Sequence, residues 1–189
     1  MRVQVVPMAL ETLVEVVNGW GVEPRRAGAR TGVPVLAEYF GEGAAAADAG
    51  PDRRTGIPTA VASALTDDGL VRFADTVFGV FAAEGTAGRV AAVSELLTGI
   101  DVRPDVVMDG HEVRRTWWTA AEDALLAAAL LALRDQLADE DPGRLGICVD
   151  GGCADIYVDG SPAGRRRFCS VTCQNRARAA KYRRSHRTG

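Results

Sequence analysis

The sequence predicts a mainly α-helical chain with a small β-hairpin, an α+β arrangement that ends in a compact cysteine-rich module. Three observations carry this. Apolar residues recur at helical spacing in several segments, one Asp-Gly pair lies between two β-prone runs, and all four cysteines fall within the last 42 of 189 residues. A hydrophobic content of 47% is enough for a buried core.

Residues 8–18 place Leu10, Leu13, Val14 and Val17 on one face, which predicts an amphipathic helix. The stretch "GEGAAAADAGPDRRTG", residues 41–56, is rich in Gly and Ala and reads as a mobile loop. Helices are expected over 58–66, 69–84 and 86–98, with Leu70, Phe73, Val77 and Phe81 forming one stripe. In "VVMDGHEVRRTW" the Asp109-Gly110 pair predicts a hairpin.

Thr119 and Glu122 then match a capping box ahead of a helix marked by Leu126, Leu130, Leu133 and Leu137. Its end, "ADEDPG" at 138–143, combines acids, proline and glycine and is read as a domain boundary. Trp20, Trp117 and Trp118 are read as core or hairpin-packing residues, with the lining of an effector pocket as the alternative.

Charge divides at the same boundary. Residues 1–143 hold 12 basic against 22 acidic side chains, a net of −10. Residues 144–189 hold 10 against 3, a net of +7. An asymmetry of this kind assigns different tasks to the two parts, with the basic part facing a polyanion. The expected domains are therefore 1–143, acidic and mostly helical with a regulatory or sensor role, and 144–189, basic and nucleic-acid-binding. No window holds eighteen uninterrupted apolar residues, so no membrane partner is expected. The start of the chain carries Glu11 and Glu15 within its apolar stretch and does not read as a signal peptide. The expected location is cytoplasmic, nucleoid-associated when bound.

The cysteines form two close pairs, Cys148-x4-Cys153 and Cys169-x3-Cys173, separated by fifteen residues. Two short loops joined by a spacer let four sulfurs converge on one tetrahedral Zn2+. Two disulfides or four unrelated thiols are the alternatives, disfavoured by clustering and by a reducing compartment. Four thiolates leave no position for water, so the expected zinc is structural rather than catalytic. His111 and His186, the only histidines, read as surface residues.

Gly151 and Gly152 permit a knuckle at the first pair, and Ile156 and Val158 alternate with polar residues ahead of Asp159-Gly160-Ser161-Pro162, which reads as a hairpin. The second pair then spans one turn of a helix. Knuckle, hairpin and helix in this order make a treble-clef-like zinc finger with four cysteine ligands. On the helix, Arg176, Arg183 and Arg187 fall within about 40° of one another with Arg184 beside them. Val171, Asn175, Ala179 and Tyr182 occupy the opposite side and are expected to seat the helix, with Arg178 and Lys181 flanking them. Arg165, Arg166 and Arg167 extend the basic surface. With nine positive charges and no negative one over 165–187, this surface is expected to bind nucleic acid through its phosphates.

The segment "CSVTCQNRARAAKYRRSH" resembles the CGNR zinc-finger family through Cys169, Cys173, Asn175, Arg176, Tyr182 and Arg183. Gln174 stands where the name-giving glycine belongs. Val17-Asn18 is similar to an element of the family's α-helical N-terminal domain, of the ABATE type. The resemblance implies a bacterial transcription regulator, described as stress-induced, with zinc in its finger.

The function expected from all this is a DNA-binding transcriptional regulator acting on duplex DNA. An RNA-binding zinc module and a zinc-finger adaptor for an acidic protein partner are the alternatives. A homodimer and a small-molecule effector held by the N-terminal part are further expectations. No Ser/His/Asp or Cys/His set, phosphate-cradling glycine loop or open metal site is visible, so no enzymatic activity is expected.

Overall fold

The computed structural model of the protein describes residues 1–40 and 50–186. Eight α-helices, two short 3-10 turns and two small antiparallel sheets are present among the described residues. The order is β1 (Arg2–Val5), α1 (Leu10–Trp20), α2 (Val22–Ala27), α3 (Leu36–Phe40), α4 (Thr59–Ala62), α5 (Asp67–Ala82) and α6 (Gly85–Thr98). Then come β2 (Arg103–Asp109), β3 (Glu112–Ala120), α7 (Ala124–Asp139), β4 (Leu145–Ile147), β5 (Ile156–Val158) and α8 (Val171–Ser185). No described helix is long and apolar enough to cross a membrane.

The helices expected over 58–66, 69–84 and 86–98 are present as α4, α5 and α6, with shifted ends. Thr66 caps α5 by accepting from the Gly69 N–H at 3.2 Å. Its stripe of Leu70, Phe73, Val77 and Phe81 is buried in one core with Leu13, Val16, Val17 and Trp20 of α1. Leu10 and Val14, expected in the α1 stripe, lie at its half-buried margin. Helix α7 runs through the middle of this core. Its many alanines, Ala127 to Ala129 among them, are fully buried and let neighbouring elements approach closely.

The Asp109-Gly110 hairpin forms as predicted, with Gly110 at φ +62. Strand β3 pairs with β2 on one side and with β1 on the other, a third strand that the sequence reading missed. This pairing overturns the capping box. Thr119 faces Val3 across the sheet, so the strand persists to Ala120 and α7 begins only at Ala124. Strand β2 is an edge. Pro104 lacks an N–H there, and the Asp105 carboxylate accepts the Val106 N–H at 2.8 Å, both of which discourage strand addition.

Of the loop expected over 41–56, residues 41–49 lie outside the described residues. The described remainder is a turn, in which Asp52 accepts from the N–H groups of Arg54 and Thr55 at 2.9 Å each. The tryptophans pack. Trp20 is fully buried with its Nε1 donating to Asp67, Trp117 lies beneath the Arg134 guanidinium, and Trp118 donates to Asp105.

Strands β4 and β5 change the expected order of knuckle and hairpin. Ile147 pairs with Ile156, so the loop between the paired strands is the first cysteine pair itself. Knuckle and hairpin are one element. No strand follows the turn over Asp159–Pro162 among the described residues; the arginine segment returns against the hairpin, where the Val149 N–H donates to the Arg167 carbonyl at 3.1 Å. Leu145 and Ile156 belong to the same buried cluster as α1, α5 and α7.

Candidate metal centre

The four sulfurs of Cys148, Cys153, Cys169 and Cys173 lie within 4.8 Å of one another. Cys153 and Cys169 are 3.6 Å apart, and Cys169 and Cys173 are 3.5 Å apart. A tetrahedron of sulfurs about 2.3 Å from a central Zn2+ has edges of about 3.8 Å. A disulfide needs about 2.05 Å, and all four thiols are free. The donor set therefore fits tetrahedral zinc, and its residues are drawn from a hairpin loop and a helix start.

Each ligand is held by local hydrogen bonds. The Cys148 N–H donates to the Asp155 carbonyl at 2.9 Å, which closes the loop, and the Cys153 N–H donates to the Asp150 carbonyl at 3.0 Å. The Asp155 N–H points at the Cys153 sulfur, 3.5 Å away. Cys169 precedes α8 instead of lying on it. Ser170 separates the two and caps the helix, accepting the Cys173 N–H at 3.2 Å.

Charged groups surround the sulfurs. Arg176 donates to the Asp150 carboxylate through Nε at 2.6 Å and points Nη2 at the Cys173 sulfur at 3.3 Å. Asp150 is buried, only 6% exposed, so this guanidinium is its counter-charge. Arg30 pairs with Asp155, whose carboxylate lies 3.7 Å from the Cys169 sulfur. Burial pushes the Cys153 thiol up to about 12, and burial with hydrogen bonds to its neighbours raises that of Cys169. At Cys173 burial acts the same way, but hydrogen bonds from Ser170 and the adjacent thiols outweigh it and hold the thiol below its ordinary value. A dication among these sulfurs favours the thiolate form and releases protons on binding.

The module is seated on the helical part by α1. Asn18 donates to the Ile156 carbonyl at 3.0 Å and accepts the Ile156 N–H at 2.8 Å. Arg30 also donates to the Asn18 and Pro24 carbonyls, so one side chain ties the α1–α2 region to Asp155. Within the module, Asp159 accepts from the N–H groups of Ser161 and Arg166 at 2.9 and 2.7 Å. Tyr157 donates to the Arg166 carbonyl at 2.7 Å. A Cβ on Gly146 would meet the Tyr157 ring at 2.4 Å, so this ring position requires glycine.

The basic residues divide into two groups. Arg166 donates to the Phe168 and Cys169 carbonyls and lies over the Tyr157 ring, and Arg176 is committed to Asp150. Arg165, Arg167, Arg178, Lys181, Arg183 and Arg184 are exposed, and no partner is found for them among the described residues. Arg187 lies outside the described residues.

The expected seating of α8 is overturned. Val171 is 70% exposed and Tyr182 64%, and Asn175 and Ala179 are also exposed. Cys173 is buried instead, with Ala177 and Ala180 half-buried at i+4 and i+7. Burial of Cys173 in the sulfur cluster orients the helix, and the small alanines face the module. Tyr182 stacks on His186 with ring centroids 3.9 Å apart, and His111 is exposed at the hairpin turn.

The residues missed from sequence are Arg30, Asp150, Asp155 and Ser170, and Asn18 is singled out only by the Val17-Asn18 resemblance, without a role at the module. Among the missed residues Asp150 carried a signal, since a carboxylate inside "CVDGGC" sits among thiolates and requires a cation. No curated protein matches the chain. Residues 144–186 match the family model described as CGNR zinc finger.

Proposed function

We propose that the protein is a DNA-binding transcription regulator in which residues 144–189 form a treble-clef-like finger around one structural Zn2+. The observation that carries this reading is helix α8 with the segment before it. From Arg165 to His186 there are eight basic side chains and no acidic one, and the helix buries only Cys173. A helix that exposes nearly all its surface yet starts in a metal cluster is held rigidly for an external partner. The charge selects a polyanion, and arginine and lysine on a helix suit phosphates and major-groove base edges. Residues 1–143 would then supply regulation.

The stacked pair of Tyr182 and His186 favours a second reading, in which the helix binds RNA by stacking unpaired bases. Binding of the full zinc-loaded chain to duplex DNA, single strands and RNA across a salt series separates the two. The regulator reading expects tightest binding to duplex DNA and a steep negative salt dependence. Equal or tighter binding to single-stranded RNA transfers the function to RNA. Absence of binding at low salt removes both and leaves the module as a contact for acidic proteins.

A further inference from the structure

Beside the start of α8 lies a cleft of about 350 Å³, walled by Arg165, Arg167, Phe168, Ser170, Val171 and Gln174. Arg166 also borders it, but its guanidinium is spent on the Phe168 and Cys169 carbonyls. The Ser170 hydroxyl is occupied in capping α8. What remains to meet a ligand is two unpaired guanidinium groups and the Gln174 amide, for which no partner is found among the described residues.

Beyond the cleft, further cations share one side of the helix with Gln174. At 100° per residue, Gln174, Arg178 and Lys181 fall within about 60° of one another. Arg178 and Lys181 are exposed. Arg176, about 160° from Gln174 around the helix, is directed to Asp150 and the metal centre. The side of α8 that adjoins Arg165 and Arg167 thus carries Gln174, Arg178 and Lys181.

Resting on the DNA-binding reading above, we propose that this ridge is the DNA contact surface and that Gln174 reads a base from it. Arg165 and Arg167 take phosphate oxygens on one side of the amide, and Arg178 and Lys181 take them on the other. Beside these charges the Gln174 amide is neutral and offers a donor and an acceptor together. That pairing matches the N6 and N7 groups of adenine in the major groove. A glycine at this position would remove that amide and leave the cleft its arginines.

The test is selection from random duplex DNA with the full zinc-loaded protein, the Gln174→Ala variant and an Arg165→Ala, Arg167→Ala double variant. Equal zinc content in all three confirms intact fingers. Gln174→Ala is expected to lose an adenine preference at one position by about tenfold. Its salt dependence should match that of the parent. The double variant should weaken binding to all sequences alike and flatten the salt slope by about two. Unchanged preferences in Gln174→Ala overturn the inference. So does sequence-indifferent duplex binding by the parent, although the DNA-binding reading then stands. If the parent binds no DNA, both fall.

Discussion

The side-chain amide of Asn18 pairs with both backbone groups of Ile156, at 2.8 and 3.0 Å, as a neighbouring strand would. Helix α1 thereby completes the edge of β5. Ile156 is fully buried, so water cannot replace the amide. Asn18→Ala should leave both groups unsatisfied and lower stability by about 2 kcal/mol, measured by denaturant unfolding of the zinc-loaded chain. Asn18→Asp, which keeps the acceptor but sets a carboxylate against the Ile156 carbonyl, should fare no better. A wild-type midpoint in either variant refutes the pairing.

Arg176 serves the metal centre. It neutralises buried Asp150 and touches the Cys173 sulfur, so its loss should weaken the hold on zinc more than any phosphate contact. Arg176→Ala is expected to lower zinc affinity by about tenfold in competition with a chromophoric chelator. Adding Asp150→Asn should recover part of that loss by removing the stranded charge. If both proteins retain wild-type zinc affinity, the pair has no influence on the metal.

Asp159 should titrate low. Hydrogen bonds from Ser161 and from the Arg166 N–H favour its charged form and hold its carboxyl below 3.8, its ordinary value. The sign of the linkage follows. The stability it contributes is complete above 3.8 and is lost as pH falls through the lower folded value. A carboxyl carbon NMR titration should give an apparent value under 3.8, and a value above it would contradict the bonding.

Thr119 is fully buried with no partner for its Oγ1 among the described residues. Thr119→Val keeps the shape and removes the orphan oxygen, so it should raise stability by about 1 kcal/mol. The denaturation midpoint should rise at unchanged slope. A lower midpoint would mean that the hydroxyl is satisfied.

Much of the site was legible because its parts are local. Cysteines four or five positions apart can meet one ion only through a short loop or turn, whatever surrounds them, and the structure brings all four together. The stripe Leu70, Phe73, Val77 and Phe81 was equally readable, since helical periodicity and burial act over a few turns. Local patterns failed where a distant partner competed. Thr119 and Glu122 have the spacing of a capping box, but β1, more than a hundred residues earlier, pairs through Val3 and keeps Thr119 in a strand.

The faces of α8 show the same division. Its sequence states that it is a basic helix anchored by cysteines, but it lacks a continuous apolar stripe, so periodicity could not say which side turns inward. The place of Cys173 in the sulfur cluster and the reach of Arg176 to Asp150 decide that rotation. Residue types and short spacings thus determined a metal-organised basic helix. Which arginines are spent on the finger and which face outward was decided by contacts between segments far apart in the chain, and those depend on how the elements pack.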